Sequence, residues 1–328
     1  MDRLPRMFRS IQKAVSDRNS SKGSRKRVHP EKPKSRGGLK PLVASGSADS
    51  TVKIWDPAAG QCVATLGHAG CVRSVAWSHD TTRLASGSDD RTVKIWDPVT
   101  GQCLSTLEGH DYNVWTVAWS HHSTTLASGS DDVVKIWDPA KGQCVSTLTG
   151  HTDCVRSVAW SQNTSHLASG SDDRTIKIWD LASGQCTSTL KGHGRYVWSV
   201  AWSHDASRLA SGSVDKTVKI WDPATGQCVS TLQGHDDFVW SVAWSYDMTR
   251  LASASKDKTV KIWDLATSQC ISTLKGHADW VWSITWSQDA TRLTSGSKDK
   301  TIKIWDLGTS ECESTLIGHA LSVDSVAW

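Results

Sequence analysis

Seven histidines follow a glycine, at His68, His110, His151, His193, His235, His277 and His319. Serine and aspartate recur behind each of them at similar offsets. His, Ser and Asp are the side chains of a base, a nucleophile and the carboxylate that orients the base. Nine cysteines add thiols that could ligate a metal or cycle with oxidants. An enzyme needs one such constellation, whereas here the set recurs in every copy of a repeat. No copy holds a nucleophile–base set of its own. There is no C-x-x-C and no G-x-x-x-x-G-K-[ST] phosphate loop. These residues therefore predict structural use, and a chain with no catalytic residues, no cofactor and no metal.

The elements that must position them follow from the period. Trp-Asp pairs begin at Trp55, Trp96, Trp137, Trp179, Trp221, Trp263 and Trp305, in steps of 41 or 42 residues. A second series closes V-A-W or I-T-W, at Trp77, Trp119, Trp160, Trp202, Trp244, Trp286 and Trp328. The two series account for 14 of the 19 Trp, against 3 Tyr and 2 Phe, so the excess is a repeat. A fixed period of this length decides the architecture before any local reading. Each unit reads as four short strands, shown by V-R-S-V-A-W, R-L-A-S-G-S, V-K-I-W-D and Q-C-L-S-T-L in residues 72–107. A D-D-R-T turn and a Pro/Gly turn separate the later strands, which is the pattern of one antiparallel sheet. No stretch of the repeats keeps a helical period.

Gly-His and then Trp-Asp, seven times over residues 42–328, resembles the WD40-repeat family. The resemblance implies an all-β, seven-bladed propeller. Residues 42–66 supply three strands without a first one, and 322–328 supply a first strand alone. The C-terminal strand is therefore expected to close the ring as the innermost strand of the first blade, leaving no open ring edge. The resemblance further implies a buried chain of His, Ser, Asp and Trp in each blade. Those sets are His68, Ser86, Asp90 and Trp96; His151, Ser169, Asp173 and Trp179; His193, Ser211, Asp215 and Trp221; His235, Ser253, Asp257 and Trp263; His277, Ser295, Asp299 and Trp305; and His319, Ser45, Asp49 and Trp55. Breaking one member leaves the others unpaired, at about 1–3 kcal/mol each. Blade 3 reads D-D-V-V-K where others read D-D-R-T-V-K, so it is expected to be the least regular, with the buried place open to Asp131 or Asp132.

Seven cysteines share one repeat position: Cys62, Cys103, Cys144, Cys186, Cys228, Cys270 and Cys312. They are expected to be small core residues, beyond disulfide reach of one another. The thiols, with no apolar leader in the N-terminal residues, predict an intracellular protein of cytoplasm or nucleus. No apolar run is long enough to span a membrane. Residues 1–41 carry 13 Lys+Arg and 3 Asp+Glu, net +10, so 42–328 carry 24 and 30, net −6. The first segment reads as a basic, mostly disordered tail with an amphipathic pattern over 3–15. Nucleic acid, or a nuclear-import receptor, is a partner only through its cluster at 22–36.

Variation concentrates just after each Gly-His. One position there holds Cys71, Asn113, Cys154, Tyr196, Phe238, Trp280 and Ser322; two residues on stand Arg73, Trp115, Arg156, Trp198, Trp240, Trp282 and Asp324. Arg73, Trp115, Arg156, Tyr196, Trp198, Phe238, Trp240, Trp280, Trp282 and Asp324 are the candidate ligand-binding residues on a rim face. Trp, Tyr and Arg dominate interface energies, and a core slot would not accept Arg and Asp. Packing between blades is the competing role for the Trp. A fixed framework with a varied rim predicts a non-catalytic scaffold or recognition propeller, monomeric, taking a protein or peptide ligand. The near-identical repeats resemble the propellers of fungal NLR-like (NACHT-WD40, vegetative-incompatibility type) proteins, implying a sensor-like module. A constitutive nuclear scaffold with the tail as signal or RNA contact is the alternative. A ubiquitin-ligase receptor is disfavoured, because W-D-x-R is absent from every repeat.

Overall fold

A computed structural model describes residues 42–328. The expectations for 3–15, 22–36 and the rest of the tail lie outside the described residues. Those residues form 28 strands in seven four-stranded antiparallel sheets, with no helix. Blade 2 shows the unit. Val72–Trp77 is innermost, followed by Leu84–Ser88, Val93–Trp96 and the outermost Cys103–Leu107. β-Branched residues alternate along these strands, and the turns hold residues that tolerate positive φ. Arg91 and its equivalents Arg174, Lys216, Lys258 and Lys300 lie at φ of 68–72° in the Asp turn.

The ring closes as the register of the termini predicts. Val323–Ala327 pairs with Val43–Ser47, joining Ala44 to Ala327 and Ser45 to Val326. The seven innermost strands touch their neighbours in sequence round an axial channel. The core lies between blades. Ala44, Val52, Ile54 and Leu66 of blade 1 pack on Val72, Val75, Leu84 and Trp96 of blade 2. Blade 7 meets Trp55 and Val323 of blade 1 in the same way. This closeness explains the glycine of L-A-S-G-S: a Cβ on Gly46 would stand 2.7 Å from Val72 Cγ1.

Two expectations need correction. The seven repeat cysteines are exposed, not core. Each lies on an outermost strand with no blade beyond it, and both faces of that strand's first residues meet solvent. Their thiols instead bond locally, as Cys62 Sγ does to Ala64 O at 3.2 Å. In blade 3 the buried place goes to neither Asp131 nor Asp132. The turn is one residue short, the positive-φ residue is missing, and His110 Nδ1 has no partner.

Candidate interaction face and channel mouth

The six expected His–Ser–Asp–Trp sets form hydrogen-bonded chains. In blade 2, Trp96 Nε1 donates to Ser86 Oγ (2.7 Å), which meets His68 Nε2 at 2.7 Å, and His68 Nδ1 meets Asp90 Oδ2 at 2.8 Å. A carboxylate only accepts, so Nδ1 carries the proton and Ser86 donates to Nε2. The chain through Asp173, His151, Ser169 and Trp179 repeats this geometry. So do Asp215, His193, Ser211 and Trp221. Asp257, His235, Ser253 and Trp263 follow, as do Asp299, His277, Ser295 and Trp305. In blade 1, His319 reaches Ser45 at 2.8 Å and Asp49 at 2.9 Å, and Trp55 donates to Ser45. These chains cannot work as triads, because the would-be nucleophile Ser86 is 0% exposed. Burial alone would raise the Asp90 carboxyl, but bonds from Thr92 and His68 outweigh it and hold it down to about 2. In blade 3 that partner is missing, and burial pushes His110 down to about 4.

Near the start of the innermost strands, the register skips one residue. Val72 pairs with Ser88 and Ser74 with Gly87, leaving Arg73 unpaired. Arg156, Trp198, Trp240, Trp282 and Asp324 are skipped in the same way. A bulge re-aims its extra side chain. In these six blades it turns one residue toward the axis, Trp115 of blade 3 joins them from just ahead of Thr116–Trp119, and rings from non-adjacent blades meet there. Trp198 of blade 5 lies 5.9 Å from Trp282 of blade 7, with Trp240 of blade 6 at 4.2 and 4.7 Å from them. Arg156 sits over Trp198 at 4.7 Å and over Trp115 at 4.1 Å; Arg73 sits over Trp115 at 5.2 Å. Arg73 also binds Asp324 at 2.8 Å and, through Nε and Nη2, both oxygens of Asp89. Six contacts thus link seven channel residues in order from Asp324 to Trp282.

This corrects the picture of an exposed rim. Trp240 is 8% exposed, and Arg73, Trp115, Arg156, Trp198, Trp282 and Asp324 are partly covered. The expectation that a buried slot rejects Arg and Asp fails because they pair with each other. Burial works against charge on Arg73, but Asp89 and Asp324 outweigh it and raise its pKa above the usual value. Burial also pushes the Asp324 carboxyl up, against the pull of Arg73. The indole N–H groups of Trp115, Trp198, Trp240 and Trp282 are buried and have no acceptor among the described residues.

The loop residues remain on the face outside this ring. Tyr196 is 43% exposed, with Phe238 and Trp280 half-buried at the same position of the next two blades. Lys256 lies 4.5 Å over Phe238 and 4.9 Å over Trp280, and Lys298 lies 3.9 Å over Trp280. Each lysine also approaches an aspartate, Asp237 at 3.5 Å and Asp279 at 3.9 Å. Cation–π pairs of this kind are worth about 0.5–1 kcal/mol at exposed sites.

At the opposite end of the strands stands a group that the reading of the repeats missed. His79 and His121 rings lie 4.9 Å apart, and His204 stacks on Tyr246 at 4.4 Å. Burial first, then the neighbouring histidines, push His121 down to about 4. The signal was available: the residue after W-S varies as His79, His121, Gln162, His204, Tyr246 and Gln288.

Residues 133–300 match the family description "WDR3 first beta-propeller domain". Residues 38–56, 60–97 and 101–138 match "WD domain, G-beta repeat". Propellers of this kind are typically non-catalytic scaffolds. The matches, together with the seven closed sheets, show that the chain belongs to the WD40-repeat β-propeller family.

Proposed function

We propose that this propeller is a non-catalytic recognition platform that takes a protein or peptide ligand on the face carrying the loops after Gly-His. The observation that carries this reading is the pair Phe238 and Trp280 bridged by Lys256, with Lys298 over Trp280 and exposed Tyr196 at the same position of the preceding blade. Aromatic side chains flanked by cations, on loops that lead into the innermost strands, suit a ligand that stacks on the rings and pairs a carboxylate with the lysines. The buried channel Trp and Arg support that patch from beneath. The role of sensor-like module of the fungal NLR type rests on the near-identity of the repeats. The tail's net +10 favours the second reading, a nuclear scaffold that contacts RNA or an import receptor through 22–36.

The test is selection of peptide ligands against the whole chain, followed by binding to a Tyr196→Ala, Trp280→Ala, Lys256→Ala variant. Tyr196 is exposed and Trp280 half-buried, so the melting of the variant is measured beside its binding. Loss of binding with unchanged melting supports the reading. Binding that survives the three substitutions and fails on deleting 22–36 would move recognition to the tail.

A further inference from the structure

We propose that Asp153, Cys154 and Asp172, with Asp131 beside the thiol, form a site for one borderline divalent metal ion of the zinc type, at the junction of blades 3 and 4. One ligand atom each from Asp153, Cys154 and Asp172 lies within 4.8 Å of the others. Asp131 Oδ1 accepts from Cys154 Sγ at 3.5 Å and stands beside that trio. Asp172 is 6% exposed. Arg156 binds only its Oδ2, through Nε at 2.9 Å and Nη2 at 2.5 Å. Its Oδ1 is buried without any hydrogen-bond partner. Arg156 thus pairs one oxygen of Asp172, and the other, buried beside a thiol and further carboxylates, is left for a second cation.

The repeat supplies its own control. At the junction of blades 1 and 2 the equivalent places hold Ala48, Gly70, Cys71 and Asp89. Two carboxylates are absent there, Cys71 bonds instead to the Ala48 carbonyl, and Arg73 occupies both oxygens of Asp89. The place next to the thiol is the same in both junctions, and only in blade 3 does it carry a carboxylate facing a cysteine. One thiolate with carboxylates suits zinc or cadmium better than calcium or magnesium, which take oxygen alone. The Cys154 thiol donates its proton toward Asp131 Oδ1. Binding would then form a metal–sulfur bond and release that proton to solvent.

The experiment titrates the full chain with Zn2+ against a chromophoric chelator, then with Cd2+ under ultraviolet detection. The expected result is one saturable site in the wild type and in Cys71→Ser, with a thiolate-to-cadmium charge-transfer band. Both the site and the band vanish in Cys154→Ser, which keeps the seven surface thiols and the fold. Asp153→Asn, which touches no buried pair, weakens the site. Unchanged stoichiometry and band in Cys154→Ser, or no saturable site in the wild type, would overturn the proposal.

Discussion

Arg73 offers its guanidinium to two carboxylates, and one of them, Asp324, is largely covered, its side chain 11% exposed. Removing one partner of such a pair costs more than the pair contributes, because the other charge is left buried, at about 3–5 kcal/mol. Arg73→Ala should therefore destabilise the fold by that order. Adding Asp324→Asn should recover part of the loss, a coupling that denaturant melts of the double-mutant cycle would read. The thiols give a second expectation at this scale. The seven exposed cysteines should alkylate quickly at neutral pH, and Cys71 and Cys154 slowly. Burial raises both of the latter, which keeps the reactive thiolate scarce. Mass spectrometry after timed alkylation would show two classes, and equal rates would contradict this account.

The turn of blade 3 is where an element, rather than a residue, sets the behaviour. Inserting Arg after Asp132 and replacing Val133 with Thr rebuilds D-D-R-T and returns a carboxylate to His110. That completes a chain now lacking one acceptor, worth about 1–3 kcal/mol. It should also change the acid limb of stability. His110 is held at about 4 against an ordinary 6.5, so the unfolded chain takes up the proton first. Its contribution is full above pH 6.5 and fades as pH falls toward 4, by at most about 3 kcal/mol. Melting temperature should drop across that window in the wild type and drop less in the repaired turn. Equal slopes would mean that other groups control the acid limb. The bulge in the innermost strand is the other decisive element. It cannot be read from alternation, because the skipped residue breaks the parity that alternation assumes. Trp198 and Trp240 therefore looked like either rim or inter-blade core, and they stand in the channel.

For the whole molecule, closure is the cooperative step. Val323–Ala327 is sequence-distant from the three strands it completes, and it carries Val323 and Val326 into the core shared with blade 7. Truncation after Leu321 should expose an unpaired strand and that core at once. The expected outcome is a lower melting temperature with concentration-dependent association, read by calorimetry and light scattering. A truncated chain that stays monomeric at the wild-type melting temperature would show that the ring does not need its last strand.

The sequence alone determined the period, the strand count, the sheet composition and the way the termini close. Those depend on local turn chemistry and on repetition, both written residue by residue. It also determined which six blades hold His, Ser, Asp and Trp at offsets that bond. Tertiary structure decided what lies between blades. The distance from one blade to the next and the bulge at six of the innermost strands turn Arg73, Trp198 and Asp324 inward together. The outermost position leaves the seven cysteines in solvent, although their Q-C-x-S-T-L segments read as ordinary strands. The meeting of Asp131 with Cys154 likewise depends on the turn of one blade reaching the loop of the next. Local patterns carry no information about such distances, because each is set by packing across the ring.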